Sequence, residues 1–138
     1  MFETGCKQDI IERIFSQLMH GGFELERDDD YLRELMLETV SRDRWLHSAP
    51  LIRADAEAQK RHFHILLLVD AGLMAQHGQL FRVTNQGHDF VALTREDDAW
   101  KFVKTSLKHV GGASIQMLYR AAEAYALLKL EEAGMKLG

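Results

Sequence analysis

The sequence predicts a mainly α-helical domain carrying one small β-hairpin. Three observations predict it. Apolar residues recur at helical spacing in six separate segments. Pro50 is the only proline, so few positions are closed to a helix. Two short apolar runs flank a glycine-containing turn at His77-Gly78. With 138 residues, 46% of them hydrophobic and 28% charged, the chain is long enough for one domain and too apolar to stay disordered.

The first segment, 8–20, places Ile10, Ile11, Ile14, Phe15 and Leu18 on one stripe, and Gly21-Gly22 ends it. The next helix starts at Asp28-Asp29-Asp30, where carboxylates cap free amides and complement the positive helix end. Leu32, Leu35, Met36 and Val40 form its buried stripe. The three aspartates lack the ligand spacing and closing glutamate of a calcium loop. Residues 41–53 read as irregular, with one short helix or strand left open, and Trp45 and Leu51 are expected to anchor them in the core.

A third helix is expected over about 55–71. Its first half is polar (Asp55, Glu57, Gln59, Lys60, Arg61, His62, His64) and its second half, Ile65 to Val69, is apolar nearly all round. That pattern predicts a helix with its trailing turns in a core and its leading turns in solvent. At about 100° per residue, Glu57, Lys60, Arg61 and His64 share an outward face, while Phe63 and Leu67 face inward. Ala71-Gly72 stops it. The runs 73–76 and 79–83 form the hairpin. Thr84 caps a helix to about Leu93, and a further helix from Glu96-Asp97-Asp98 carries Trp100, Val103 and Leu107. Gly111-Gly112 breaks that helix. Ser114 caps a last one with Ile115, Leu118, Tyr119, Ala122, Tyr125 and Ala126 on one side, before a tail expected to fray after Glu132.

Helix, irregular link, half-exposed helix, hairpin, helix is the element order of a winged helix-turn-helix, in which the half-exposed helix enters a DNA major groove and the hairpin is the wing. The expected organisation is a single domain over 1–138, with a winged-helix core at 26–94. The extensions 1–25 and 95–138 then serve as helical elements for homodimerisation.

Four blocks in fixed order also resemble a known family. They are Arg27-Asp28-x-Asp30-x-x-Arg33-x-Leu35; His64-x-x-Leu67-Leu68-x-x-Ala71-Gly72-Leu73; Val83-Thr84-x-x-Gly87-His88-Asp89-Phe90; and Arg95-x-Asp97-Asp98-x-Trp100-x-x-x-Lys104. Together they look like the domain-of-unknown-function family twenty-five-thirteen, small uncharacterised bacterial and phage proteins similar to the YjcQ-type winged-helix proteins. The resemblance spans roughly 27–128. It departs at Val83-Thr84-Asn85, where family members often have Leu-Thr-Trp, and in the added segment before Arg27. It implies a winged-helix fold and a phage or prophage setting, and it implies no established activity.

Formal charge is −4, from 17 basic and 21 acidic residues. The stretch from Arg44 to His88 is nevertheless +2, with five basic residues against three acidic, and holds five of the seven histidines. A basic middle on an acidic frame suits phosphate contact without general polyanion binding. On charge alone a chance fluctuation accounts for this, and it is the winged-helix order of elements that makes a DNA-binding accessory protein or transcriptional regulator the expected function. Lys60, Arg61 and His64 would face the groove with Gln59 at its edge, and Arg82 and His77 on the hairpin would approach the DNA backbone. Asp55, Glu57 and a wing tip without lysine or arginine support the alternative, a protein–protein interaction module that binds no nucleic acid. A third reading, a small-molecule-sensing regulator, needs an apolar pocket that sequence does not reveal.

Other chemistry finds little footing. His62 and His64 are two apart on a helix and point away from each other, so with His88, Asp89 and Cys6 they do not make a metal set. No phosphate loop, nucleophile elbow or paired-carboxylate motif is present, so neither an enzyme nor a cofactor is expected. The single Cys6 excludes an internal disulfide and suits a reducing cytoplasm. No 20-residue apolar stretch and no secretion-type N-terminus is visible.

Overall fold

A computed structural model describes residues 25–134. The expected helix at 8–20, Cys6 and the end of the tail lie outside the described residues. Within them the chain runs α1 (Asp29–Ser41), β1 (His47–Ser48), α2 (Ala56–Asp70), β2 (Met74–His77), β3 (Leu80–Val83), α3 (Asn85–Thr94), α4 (Asp97–Leu107), a short 3-10 turn (Lys108–Val110) and α5 (Ile115–Glu132). It is a mainly helical fold with a small antiparallel sheet. The strand order is β1-β3-β2, with His47 opposite Phe81 and Met74 opposite Val83.

Short polar side chains fix the helix starts. Asp28 accepts from the Tyr31 amide, Asp55 from those of Glu57 and Ala58, Thr84 from Gly87 and Ser114 from Met117, all at 3.0–3.1 Å. The α2 terminus is a left-handed cap. Gly72 takes φ +81°, and the Leu73 amide reaches back to the Leu68 carbonyl at 2.9 Å. The hairpin loop is Gly78-Gln79, one residue later than expected, because the left-handed φ of +63° falls on Gly78.

One apolar cluster holds everything together. It takes Leu32, Leu35 and Met36 from α1, Ile65 and Leu68 from α2, and Met74, Phe81 and Val83 from the sheet. Phe90, Val91, Trp100, Val103, Ile115 and Leu118 complete it from α3, α4 and α5. Residues on both sides of Thr94 thus share one core. Trp45 and Leu51 do not join it: both are exposed. The link between α1 and α2 is anchored instead by His47, Ala49 and polar bonds from α2.

A buried arginine fastens α1 to the junction of α3 and α4. Arg33 Nε donates to the Thr94 carbonyl at 2.7 Å, and one terminal nitrogen donates to the Arg95 carbonyl and to Asp97, both at 2.9 Å. Its guanidinium lies 5.7 Å from the Trp100 ring centroid. The Trp100 indole in turn donates to Asp30 at 2.7 Å. The helical pattern of α1 marks only its apolar stripe and passes over Arg33. Arginine is buried here because carbonyls and a carboxylate answer its donors.

Two substitutions test this packing. Arg33→Ala leaves the Thr94 and Arg95 carbonyls without their donor and should lower the unfolding free energy by about 3 kcal/mol in urea denaturation. A Cβ at Gly87 would fall on the Leu73 carbonyl oxygen and within 2.7 Å of Val83 Cγ1. Gly87→Ala should therefore cost roughly 2 kcal/mol or more by the same measurement.

Candidate nucleic-acid interface

The residues expected to read DNA lie on α2, and the structure gives them other work. His64 is fully buried. Its Nδ1 sits 2.8 Å from the Lys60 carbonyl and its Nε2 accepts the Asp28 amide at 2.9 Å, so Nδ1 carries the proton. The ring packs between Tyr31 and Phe63, with centroids at 4.7 and 5.3 Å. The outward assignment of His64 is therefore corrected: with both ring nitrogens bonded, it behaves as a core side chain.

Its neighbours are similarly occupied. The Lys60 ammonium lies 4.4 Å from the Tyr31 ring centroid and 3.8 Å from the Asp28 carboxylate. Arg61 donates to the Ser48 carbonyl at 2.6 Å. Gln59 donates to the Ile52 carbonyl at 3.1 Å, and His62 Nδ1 lies 2.6 Å from the Ala49 carbonyl. Residues 59–62 thus bolt the irregular link and the start of α1 onto α2. The polar first half of this helix serves an internal seam. Its buried side is His64, Ile65 and Leu68, while Phe63 and Leu67 are half-buried and Leu66 is exposed. The expected phase is wrong because hydropathy put Phe63 and Leu67 inside, with no means of knowing that His64 has two partners.

On the hairpin the structure brings Arg82 and His77, both expected near the DNA backbone, into contact. Arg82 Nε donates to His77 Nε2 at 2.8 Å.

The structure also forms a basic groove beside the hairpin. Arg42, Asp43, Arg44, Trp45 and His47, from the turn after α1 and from β1, face Arg82 and Val83 of β3 and His88 of α3 across a cavity of about 730 Å³. Three arginines converge there against one aspartate in the lining. Glu38 engages Arg42 from within α1, whereas among the described residues no carboxylate pairs with Arg44 or Arg82. Trp45 stands 69% exposed. His47 is 3% exposed, and its Nδ1 has no hydrogen-bond partner among the described residues. Burial, with the Arg42, Arg61 and Arg44 guanidiniums adding to it, holds the His47 ring below its ordinary value of 6.5. Arg42, Arg44, Trp45 and His47 of this lining were not among the residues expected at a site. The available signal was the excess of basic residues and histidines between Arg44 and His88.

Among the described residues no group of three or more histidine, cysteine, aspartate or glutamate side chains is placed to hold a metal ion. None of the described helices is long and apolar enough to cross a membrane. Tyr119 stacks on Phe90 with ring centroids 6.3 Å apart, and Tyr125 packs on Phe102. Comparison with protein-family models, with curated proteins and with solved structures finds no match for this chain.

His47 makes stability depend on pH. Its depressed pKa means that the unfolded chain binds the proton more tightly. The stabilising contribution is therefore complete above about 6.5 and is lost as pH falls below it toward the folded-state value. The melting temperature should drop between about pH 7 and pH 5, and His47→Gln should flatten that part of the profile.

Proposed function

We propose that this chain is a DNA-binding accessory or transcription-regulating protein of winged-helix type, which meets the DNA backbone through the hairpin and the arginine groove. The outward face of α2 is not the reader in this proposal. The convergence of Arg42, Arg44 and Arg82 on one cavity next to the hairpin carries it. Three guanidiniums from two elements suit phosphate oxygens, because each offers a planar fork of donors. The β1-β3-β2 order behind a helix that leads into a hairpin supports the winged arrangement, although residues 49–55 hold no helix where a helix-turn-helix would place its first member. The resemblance in the blocks from Arg27 to Lys104 is the support for a bacterial or phage setting, and the single cysteine is the support for a cytoplasmic one.

A second reading has an observation of its own. Leu127, Leu128 and Leu130 are exposed along the final turns of α5, and Leu66 is exposed on α2. Such leucines suit a protein partner, including a second copy joined through the terminal helix.

The two readings separate by salt dependence. With Arg44 and Arg82, the two arginines of the groove that no carboxylate engages among the described residues, each on a phosphate, log affinity for a duplex of about 20 base pairs should fall against log salt with a slope of roughly −2. Replacing Arg42, Arg44 and Arg82 together by alanine should abolish the slope in a fluorescence-anisotropy titration. Lys60→Ala should leave it unchanged, because that ammonium already sits on Tyr31 and Asp28. Absence of binding to any DNA at low salt removes the DNA reading.

A further inference from the structure

We propose that the arginine groove takes an unpaired nucleotide of a DNA strand, with its phosphate on Arg44 and Arg82 and its base stacked on Trp45. The inference rests on the DNA-binding reading and deepens it by naming what part of the nucleic acid the groove accepts. Three features of one lining carry it.

The first is Trp45. An indole 69% exposed leaves a large apolar ring in water, and this ring lines the cavity immediately beside Arg44. Paired bases inside a duplex are stacked on each other and offer only their edges. A base at a strand end, in an overhang or in a melted step offers its face, and an aromatic side chain accepts that face whatever its sequence.

The second is the free donor set. Among the described residues Arg82 bonds only through its Nε, to His77, which leaves its two terminal nitrogens open to a phosphate. Arg44 pairs with no carboxylate among the described residues, while Arg42 is engaged by Glu38 and Asp43 is the one acid in the lining. Two free guanidiniums and one carboxylate suit a single phosphodiester better than a long run of backbone.

The third is His47. It is the buried polar side chain of this lining that lacks a partner at Nδ1 among the described residues. Buried polar groups are ordinarily bonded, so this nitrogen marks the inner wall of the groove as incompletely satisfied. A volume of about 730 Å³ has room for one nucleotide.

The test uses the full chain with four probes: a blunt duplex, the same duplex with a three-nucleotide single-stranded overhang, a deoxynucleoside monophosphate, and a phosphoserine peptide. The overhang duplex is expected to bind about tenfold more tightly than the blunt one. The overhang and the mononucleotide are expected to quench tryptophan fluorescence. Trp45→Ala should erase the tenfold preference and leave blunt-duplex affinity in place. Its melting temperature should stay at the wild-type value, since Trp45 makes no core contact. Equal affinity for blunt and overhang duplexes, unchanged by Trp45→Ala, overturns this inference and leaves the DNA reading intact. Binding of the phosphopeptide with none of the DNA probes overturns both.

Discussion

A guanidinium sealed inside a small domain is the constraint on which the rest of this structure depends. Arg33 reaches the core only because the last carbonyl of α3, the carbonyl that follows it and the Asp97 carboxylate answer its donors. Those carbonyls lie at the negative end of α3, so the helix dipole also favours the cation. The Trp100 ring closes the arrangement, flanked by Arg33 at 5.7 Å and Lys104 at 5.8 Å, while Asp30 holds the indole nitrogen. Desolvating such a charge is tolerable only when every partner is in place, which fixes α1 against the α3–α4 junction. That fixed frame carries the sheet, and the sheet carries Arg82.

The remaining polar fastenings follow the same logic. His64 ties α2 to the start of α1, Arg61 and His62 tie it to β1 and the link, and the Thr84 hydroxyl donates to the Gly72 carbonyl at 2.6 Å. With the cations of α2 committed to the link and to α1, Arg44 and Arg82 are the arginines of the groove that no carboxylate engages among the described residues. The groove is where the fold brings together three guanidiniums, an exposed tryptophan and a buried histidine whose Nδ1 has no partner among the described residues.

This arrangement also accounts for the four sequence blocks. Asp28 of the first meets His64 of the second. Leu73 of the second meets Gly87 of the third. Arg33 of the first meets Asp97 and Trp100 of the fourth. Several residues of these blocks are thus internal fastenings of the fold, and apart from Val83 and His88 the blocks lie outside the groove lining. Residues that fasten a fold speak to architecture, and function is argued from the groove.

Local chemistry made the helices legible. The caps at Asp28, Asp55, Thr84 and Ser114, the left-handed Gly72 and the two apolar runs of the hairpin are each decided within a few residues. Burial of charged and polar groups was not legible, since it depends on partners distant in sequence: 61 residues separate Arg33 from Thr94, and 36 separate Asp28 from His64. Hydropathy alone therefore placed His64 outside, Trp45 inside and the cations of α2 in solvent. The sequence by itself determined where the chain turns and which faces are apolar, because those depend on backbone propensity and side-chain period. Only the tertiary structure decided which cations are spent on internal bonds and which stay free, because that is settled by which carbonyls and carboxylates come within about 3 Å.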